Sequence, residues 1–293
     1  MKRSSQRIVN FRLLVLALCA APWLAYGQQK PYFVTYDHHM EEPGSLEVSI
    51  NPVIGKPRGG DAFIASWVEF EYGTKGWWTT ELYLEGQSTR NDSTLFTGWR
   101  LENRFHPLKR QHWINPVLYV EFADLNAAKK TLQEVVGFDS QEDQAVPNAL
   151  ARAERLHEVE AKLILGSDFK GWSISENFIA EKNLSNVPWE FGYALGASRP
   201  LTLAAIAGEC NLCRENFRAG VELYGGLGDW HRFTLRNTSQ YLAPVLSWEL
   251  PNGTSFRISP TIGLTDSSHR FLLRFGISYE FSGFGHRVRR WFK

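Results

Sequence analysis

The segment Ser268 to Phe284, SHRFLLRFGISYEFSGF, falls onto two faces when every second residue is taken. Phe271, Leu273, Phe275, Ile277, Tyr279 and Phe281 make one face, and Arg270, Leu272, Arg274, Gly276, Ser278 and Glu280 the other. A period of two marks a strand. A strand apolar on one face and charged on the other suits either the half-buried sheet of a soluble protein or the wall of a transmembrane barrel.

The same alternation recurs along the chain. It runs through Leu46 to Ile54, Ile64 to Tyr72, Trp78 to Gln87, Leu95 to Phe105 and Ile114 to Phe122. It returns in Glu158 to Leu165, Trp172 to Glu181, Trp189 to Leu195, Phe217 to Tyr224, Leu242 to Leu250 and Phe256 to Leu264. With the opening segment this predicts about 12 strands in one domain. In TLFTGWRLENRF the reading places Leu95, Trp99, Leu101 and Phe105 outward against Gly98, Arg100, Glu102 and Arg104. Glu176 is the clear violation, an acid on an apolar face.

Charge decides between the two settings. The polar faces carry acids and bases on nearly every strand, with acids in excess, while the apolar faces are almost free of charge. A soluble sandwich leaves edges to protect and buries one face on a second sheet. A barrel has no edge and turns its apolar face to lipid. Trp, Tyr and Phe gather near strand ends, as interfacial girdles do. The fold class expected is all-β, a transmembrane antiparallel up-and-down barrel. Connections on one side, GTKG, HPLKRQ, DFKG and PNG, are short, and the other side holds the long segment 123–155. Residues 199–216, with the run LTLAAIAG, are a long exception on the short-turn side and leave room for an additional strand.

The front of the chain supplies the address. Lys2, Arg3, Arg7 and Arg12 precede LLVLALCAAPWLAYG, with small residues at Ala25 and Gly27. This is the pattern of a secretory signal cleaved near Gly27. The apolar run is interrupted by Pro22 and falls short of the roughly 20 residues of a spanning helix. Cys19 lacks the small residue before it that a lipoprotein signal wants. Loss of the four leader cations takes the formal charge from +1 to −3, so no nucleic-acid partner is implied. Cys210 and Cys213, in CNLC, read in an exported protein as a local disulfide or two idle thiols. The expected layout is a signal peptide at 1–27, a periplasmic segment at 28–44, a barrel at 45–281 with a long extracellular connection at 123–155, and a basic tail at 282–293.

The leader, the strand pattern and the last strand RFLLRFGISYEF, ending at Phe281, resemble an outer-membrane β-barrel. EVEAKLILGSDFKGW, ISENFIAEKNL and PWEFGYALG resemble porin-like barrels, including the outer-membrane family linked to meta-pathway phenol degradation. The chain departs from that pattern after Phe281, where SGFGHRVRRWFK continues it. The resemblance implies residence in the bacterial outer membrane, insertion by the outer-membrane assembly machinery, contact with outer-membrane lipid and passage of a small solute. It supplies no substrate.

For chemistry the candidates are few. Asp37, His38, His39, Met40, Glu41 and Glu42 are ligand types suited to copper or zinc, but neighbours on an extended chain point apart, so a solvated tail is expected. Ser267 and His269 lie two apart, as the catalytic pair of outer-membrane phospholipase A does, but in the opposite order and with no third group to orient the imidazole. A polar loop tip is expected there. No cofactor, metal or catalytic group is assigned. Residues from Leu125 to Gly137 and from Asn148 to Ala161 have helical character, with Gly137 as a C-cap, and read either as a lid folded over or into the mouth or as an exposed surface helix.

The lumen remains. Glu69, Glu71, Glu81, Glu85, Glu102, Glu121, Glu158, Glu160 and Glu190 are expected to face it, opposite Arg100, Arg104, Arg218, Arg257 and Arg274. Two functions follow, an acid-rich channel or transporter for a small solute and a structural barrel whose charges pair to fill the interior. A lipid-modifying enzyme is a minor third.

Overall fold

The computed structural model describes residues 31–185, 187–204 and 210–291; the signal peptide expected at 1–27 lies outside them. Twelve strands follow one another: β1 (Leu46–Gly55), β2 (Phe63–Lys75), β3 (Trp78–Thr89), β4 (Thr94–Phe105), β5 (Asn115–Asn126), β6 (Arg155–Phe169), β7 (Trp172–Asn183), β8 (Glu190–Pro200), β9 (Phe217–Asp229), β10 (Gln240–Glu249), β11 (Thr254–Gly263) and β12 (Phe271–Phe281). Each pairs antiparallel with its neighbours in sequence, and β12 pairs with β1 to close the wall. Alternation continues across that seam. Ile50 faces Ile277 on the outside, while Ser49 meets Ser278 on the inside.

The outer surface is apolar. Ile50, Leu118, Val120, Phe178 and Ile277 are exposed there, and the inward partners of the same strands are buried. Aromatic pairs ring the terminal end, where β1 begins and β12 finishes, among them Trp78 with Phe105, Trp113 with Phe169, Phe217 with Trp248 and Tyr279 with Phe281. Phe191 with Trp230 and Phe233 marks the far end. Glu176 points outward, as its position predicts.

One face assignment is corrected. The register between β3 and β4 shifts between Glu85 and Gly86, where Thr97 has no partner. Gly98 adopts φ +148°, and a Cβ there would lie 2.1 Å from the Asp124 carbonyl. The bulge exchanges the two faces, so Phe96, 61% exposed, takes the outward position expected of Leu95.

The connection after β5 is not the pair of helices its composition suggests. Residues 127–141 enter the barrel from the far end, and only α1 (Asn148–Ala151) is α-helical. Ala128, Lys130, Thr131 and Gln133 to Gly137 are buried, so most of the segment is packed inside the wall and packing overrides helix propensity. Gly137, at φ +55°, is not a helix cap. Its N–H donates to the Phe191 carbonyl at 3.0 Å and its own carbonyl accepts from Gly228 at 3.2 Å, which pins the segment to β8 and β9.

Cys210 and Cys213 form a disulfide in the long turn between β8 and β9, and no described residue of that turn adds a strand. Beyond β12 the chain continues as α2 (Phe284–Trp291), anchored where the Gly285 N–H donates to the Gly44 carbonyl at 2.8 Å.

An arginine placed on the outer face near mid-strand should cost about 2–4 kcal/mol in a lipid-facing wall. Ile277→Arg is therefore expected to lower the folded fraction, seen as heat-modifiable mobility on gels, while Ile277→Leu leaves it unchanged.

Candidate functional site

The inward face of β4 carries Arg100, Glu102 and Arg104, two residues apart and all buried. A buried charge survives only with partners, and each arginine has three. Arg100 donates from Nε to Glu85 at 2.5 Å and from Nη1 to Glu121 at 3.0 Å, and it also pairs with Glu134 on the inserted connection. Arg104 pairs with Glu71, Glu81 and Glu102. Lys162 lies 2.7 Å from Glu160 and 3.9 Å from Glu134. The Tyr83 hydroxyl sits 2.5 Å from Glu81 and 2.7 Å from Glu102, and Tyr36 donates to the same Glu102 at 2.9 Å.

Tyr36 belongs to the N-terminal segment, which runs into the lumen from the terminal end. It has no ladder to join, so its backbone groups need side-chain partners. The Glu222 carboxylate accepts three successive N–H groups, from Phe33 at 3.0 Å, Val34 at 2.9 Å and Thr35 at 2.8 Å. Asn177 accepts the Tyr36 N–H at 2.7 Å and donates to the Tyr36 carbonyl at 2.8 Å. Arg257 holds the Tyr32 carbonyl at 2.7 Å.

From the opposite end, Arg274 donates to the Leu132 carbonyl at 2.6 Å and Thr131 to Glu85 at 2.7 Å. The two segments share one apolar core inside the barrel, where Phe33, Val34 and Val135 are buried with Phe63, Tyr224, Tyr241 and Leu272. Two vestibules remain. The far one, about 390 Å³, is lined by Arg100, Glu134, Glu158 and Glu181, and the terminal one, about 860 Å³, by His38, His39, Met40 and His106. A gap of only about 30 Å³ lies between Tyr36, Trp67, Tyr83, Gln133 and Arg257 in the septum.

The residues picked out as lumen candidates separate by depth. Glu69, Glu71, Glu81, Glu85, Arg100, Glu102, Arg104, Glu121, Glu158, Glu160 and Arg274 are buried inside, and Glu190, Arg218 and Arg257 are half-buried on the same face. Glu222, Asn177, Lys162, Tyr83 and Glu134 complete the interior without having been singled out. Alternation alone puts the four strand residues inward, but only the path of the inserted segments shows what they hold.

Two expectations are overturned. Asp37 and His38 are 0% and 6% exposed, not part of a solvated tail, because the segment that carries them is the lumen filling. His39 stands between Asp37 at 3.3 Å and Asp168 at 3.2 Å. Burial alone would lower its pKa, but the two carboxylates lift it to about 10, while burial and the neighbouring His39 hold His38 below the usual range. His269 is not at a loop tip either. It is fully buried, 3.3 Å from the Tyr241 hydroxyl and edge-on to Phe63.

No protein-family model matches the sequence, and no curated protein does. Solved structures do. KdgM porin superposes with a TM-score of 0.50 at 6% identity, covering 80% of this chain and 99% of its own. The fold is that of an outer-membrane barrel. An outer membrane channel from Pseudomonas putida F1 gives 0.51 at 10% identity, covering 87% of this chain and 100% of its own. At these identities the likeness is one of fold.

Hydrogen bonds to a charged group contribute about 1.5–3 kcal/mol each. Glu222→Gln should therefore speed amide exchange at Phe33, Val34 and Thr35 at least about tenfold, with the wall strands unchanged, as read by hydrogen-exchange mass spectrometry.

Proposed function

We propose that this chain is an outer-membrane channel for a small solute, held shut at rest by its own N-terminal segment. The observation that carries this reading is how the lumen is filled. The wall itself is complete without residues 31–45, and that segment is held by side-chain hydrogen bonds from Glu222, Asn177 and Arg257 rather than by a strand ladder. Such a filling can leave without breaking the barrel, and the passage it would uncover joins the two vestibules, of about 390 and 860 Å³, through a charged interior.

The terminal end faces the periplasm in this reading, as the leader and the short turns of that end favour. Outer-membrane lipid meets the apolar outer face, and the outer-membrane assembly machinery inserts the barrel. The likeness of EVEAKLILGSDFKGW, ISENFIAEKNL and PWEFGYALG to barrels linked to meta-pathway phenol degradation accords with a channel and names no solute.

One observation favours a structural barrel instead. Arg100 and Arg104 are each ringed by three carboxylates, which is how charge is arranged when it fills space rather than greets ions. The two readings separate in planar bilayers. The intact mature chain is expected to conduct rarely, and a chain lacking residues 28–40 to conduct steadily. With acids in excess on the inner face, the opened form should prefer cations. That preference should fade as the Debye length falls from about 10 Å at 0.1 M salt to about 3 Å at 1 M. A shortened chain that folds and never conducts, even when residues 128–137 of the inserted connection are also removed, would establish the structural barrel.

A further inference from the structure

At the terminal end of the lumen three ligand-bearing side chains converge. His38 and His39 are adjacent, and on an extended chain their rings would point apart. Here the chain bends at His38, and Asp37 accepts the His39 N–H at 2.9 Å, a local turn that brings both rings to one side. Their centroids are 4.2 Å apart. Both Nε2 atoms face Asp168 Oδ2 on β6, at 3.5 Å from His38 and 3.2 Å from His39.

These separations have a meaning for a metal. Bonds of about 2.0–2.1 Å at tetrahedral angles put neighbouring ligand atoms about 3.3 Å apart. The two measured edges bracket that value. The outer contacts fit as well. Asp37 Oδ1 lies 3.3 Å from His39 Nδ1, on the side of the ring where a carboxylate can orient an imidazole whose Nε2 meets an ion.

Two further observations point to a ligand rather than to ordinary packing. His38 is 6% exposed, and neither of its ring nitrogens has a hydrogen-bond partner. Its ring rests on Gly166, where a Cβ would lie 2.2 Å from Nδ1, so the wall leaves a seat for this imidazole. By contrast, in the two all-glutamate groupings among the described residues, Glu71 and Glu81 pair with Arg104, Glu134 with Arg100 and Lys162, and Glu160 with Lys162.

We infer that His38, His39 and Asp168 form a binding site for a divalent metal ion of the zinc class, held through the two Nε2 atoms and Asp168 Oδ2. Two imidazoles and one carboxylate suit zinc or its neighbours rather than calcium or magnesium, which take oxygen ligands. A fourth position opens on the terminal vestibule, lined by Met40, His106 and Gln111. The bound ion displaces the proton that Asp37 and Asp168 otherwise hold on His39, joins the N-terminal segment to β6 and so fastens the filling to the wall. That consequence, though not the site itself, rests on the channel reading.

The test uses the full mature chain without a polyhistidine tag, refolded in detergent, stripped with chelator and titrated with cobalt(II). It is read by absorption and needs no conductance, so it stands or falls apart from the channel reading. One equivalent of cobalt is expected to give the strong visible bands of tetrahedral coordination, and zinc to abolish them. His39→Ala and Asp168→Asn should each remove the bands and weaken zinc binding about tenfold or more. His231→Ala, in an exposed turn at the far end of the barrel, should leave both unchanged. Heat-modifiable mobility verifies that each variant has folded, and His38→Gln decides if either ligand variant has not. Wild-type protein without the bands, folded ligand variants that keep them, or equal loss in His231→Ala would overturn the site.

Discussion

The pairing of β12 with β1 is the constraint on which everything else depends. A wall without edges satisfies all its backbone groups within itself, which is the condition for standing in hydrocarbon. Once the wall is closed, alternation leaves a single choice for each side chain, out or in. Ile50 and Ile277 go out at the seam, and Ser49 and Ser278 go in. The protein is thus turned inside out relative to a soluble domain, with its charges in the interior.

That interior then has to be made tolerable. An unpaired buried charge costs several kcal/mol, and the lumen meets this with geometry rather than water. Arg100 and Arg104 lie on one strand and reach carboxylates from β2, β3, β4, β5 and the inserted connection. The guanidinium's planar array of donors suits it to several acceptors at once. The same economy holds the N-terminal segment, where the one Glu222 carboxylate accepts three backbone N–H groups that would otherwise be orphaned inside the barrel. Wall charge, plug backbone and inserted connection are one network, so the state of the lumen is coupled to the position of two segments that are not part of the wall.

The triad of His38, His39 and Asp168 sits where this network meets the terminal vestibule. His38 and His39 travel with the segment, and Asp168 belongs to the wall. An ion there would act between that segment and the wall, the position from which a small ligand most directly changes how firmly one is docked on the other.

Period-two alternation was legible in the sequence because lipid and lumen impose opposite demands on successive residues of every strand. It yielded the strand number, the fold class and the inward placement of Glu81, Arg100, Arg104 and Glu121 from residue types alone. It failed at Leu95 and Phe96, since a bulge is a backbone event that leaves little trace beyond Gly98. It failed also for residues 37–42 and 127–141, whose composition is that of a solvated tail and of helices. What buries them is a cylinder built by strands far away in sequence, as when Glu222 captures Phe33 across 189 positions. Local chemistry specifies which way a side chain turns within its own strand. Which segment fills the enclosed space, and which histidine meets which aspartate, depends on contacts between residues that only the closed barrel brings together.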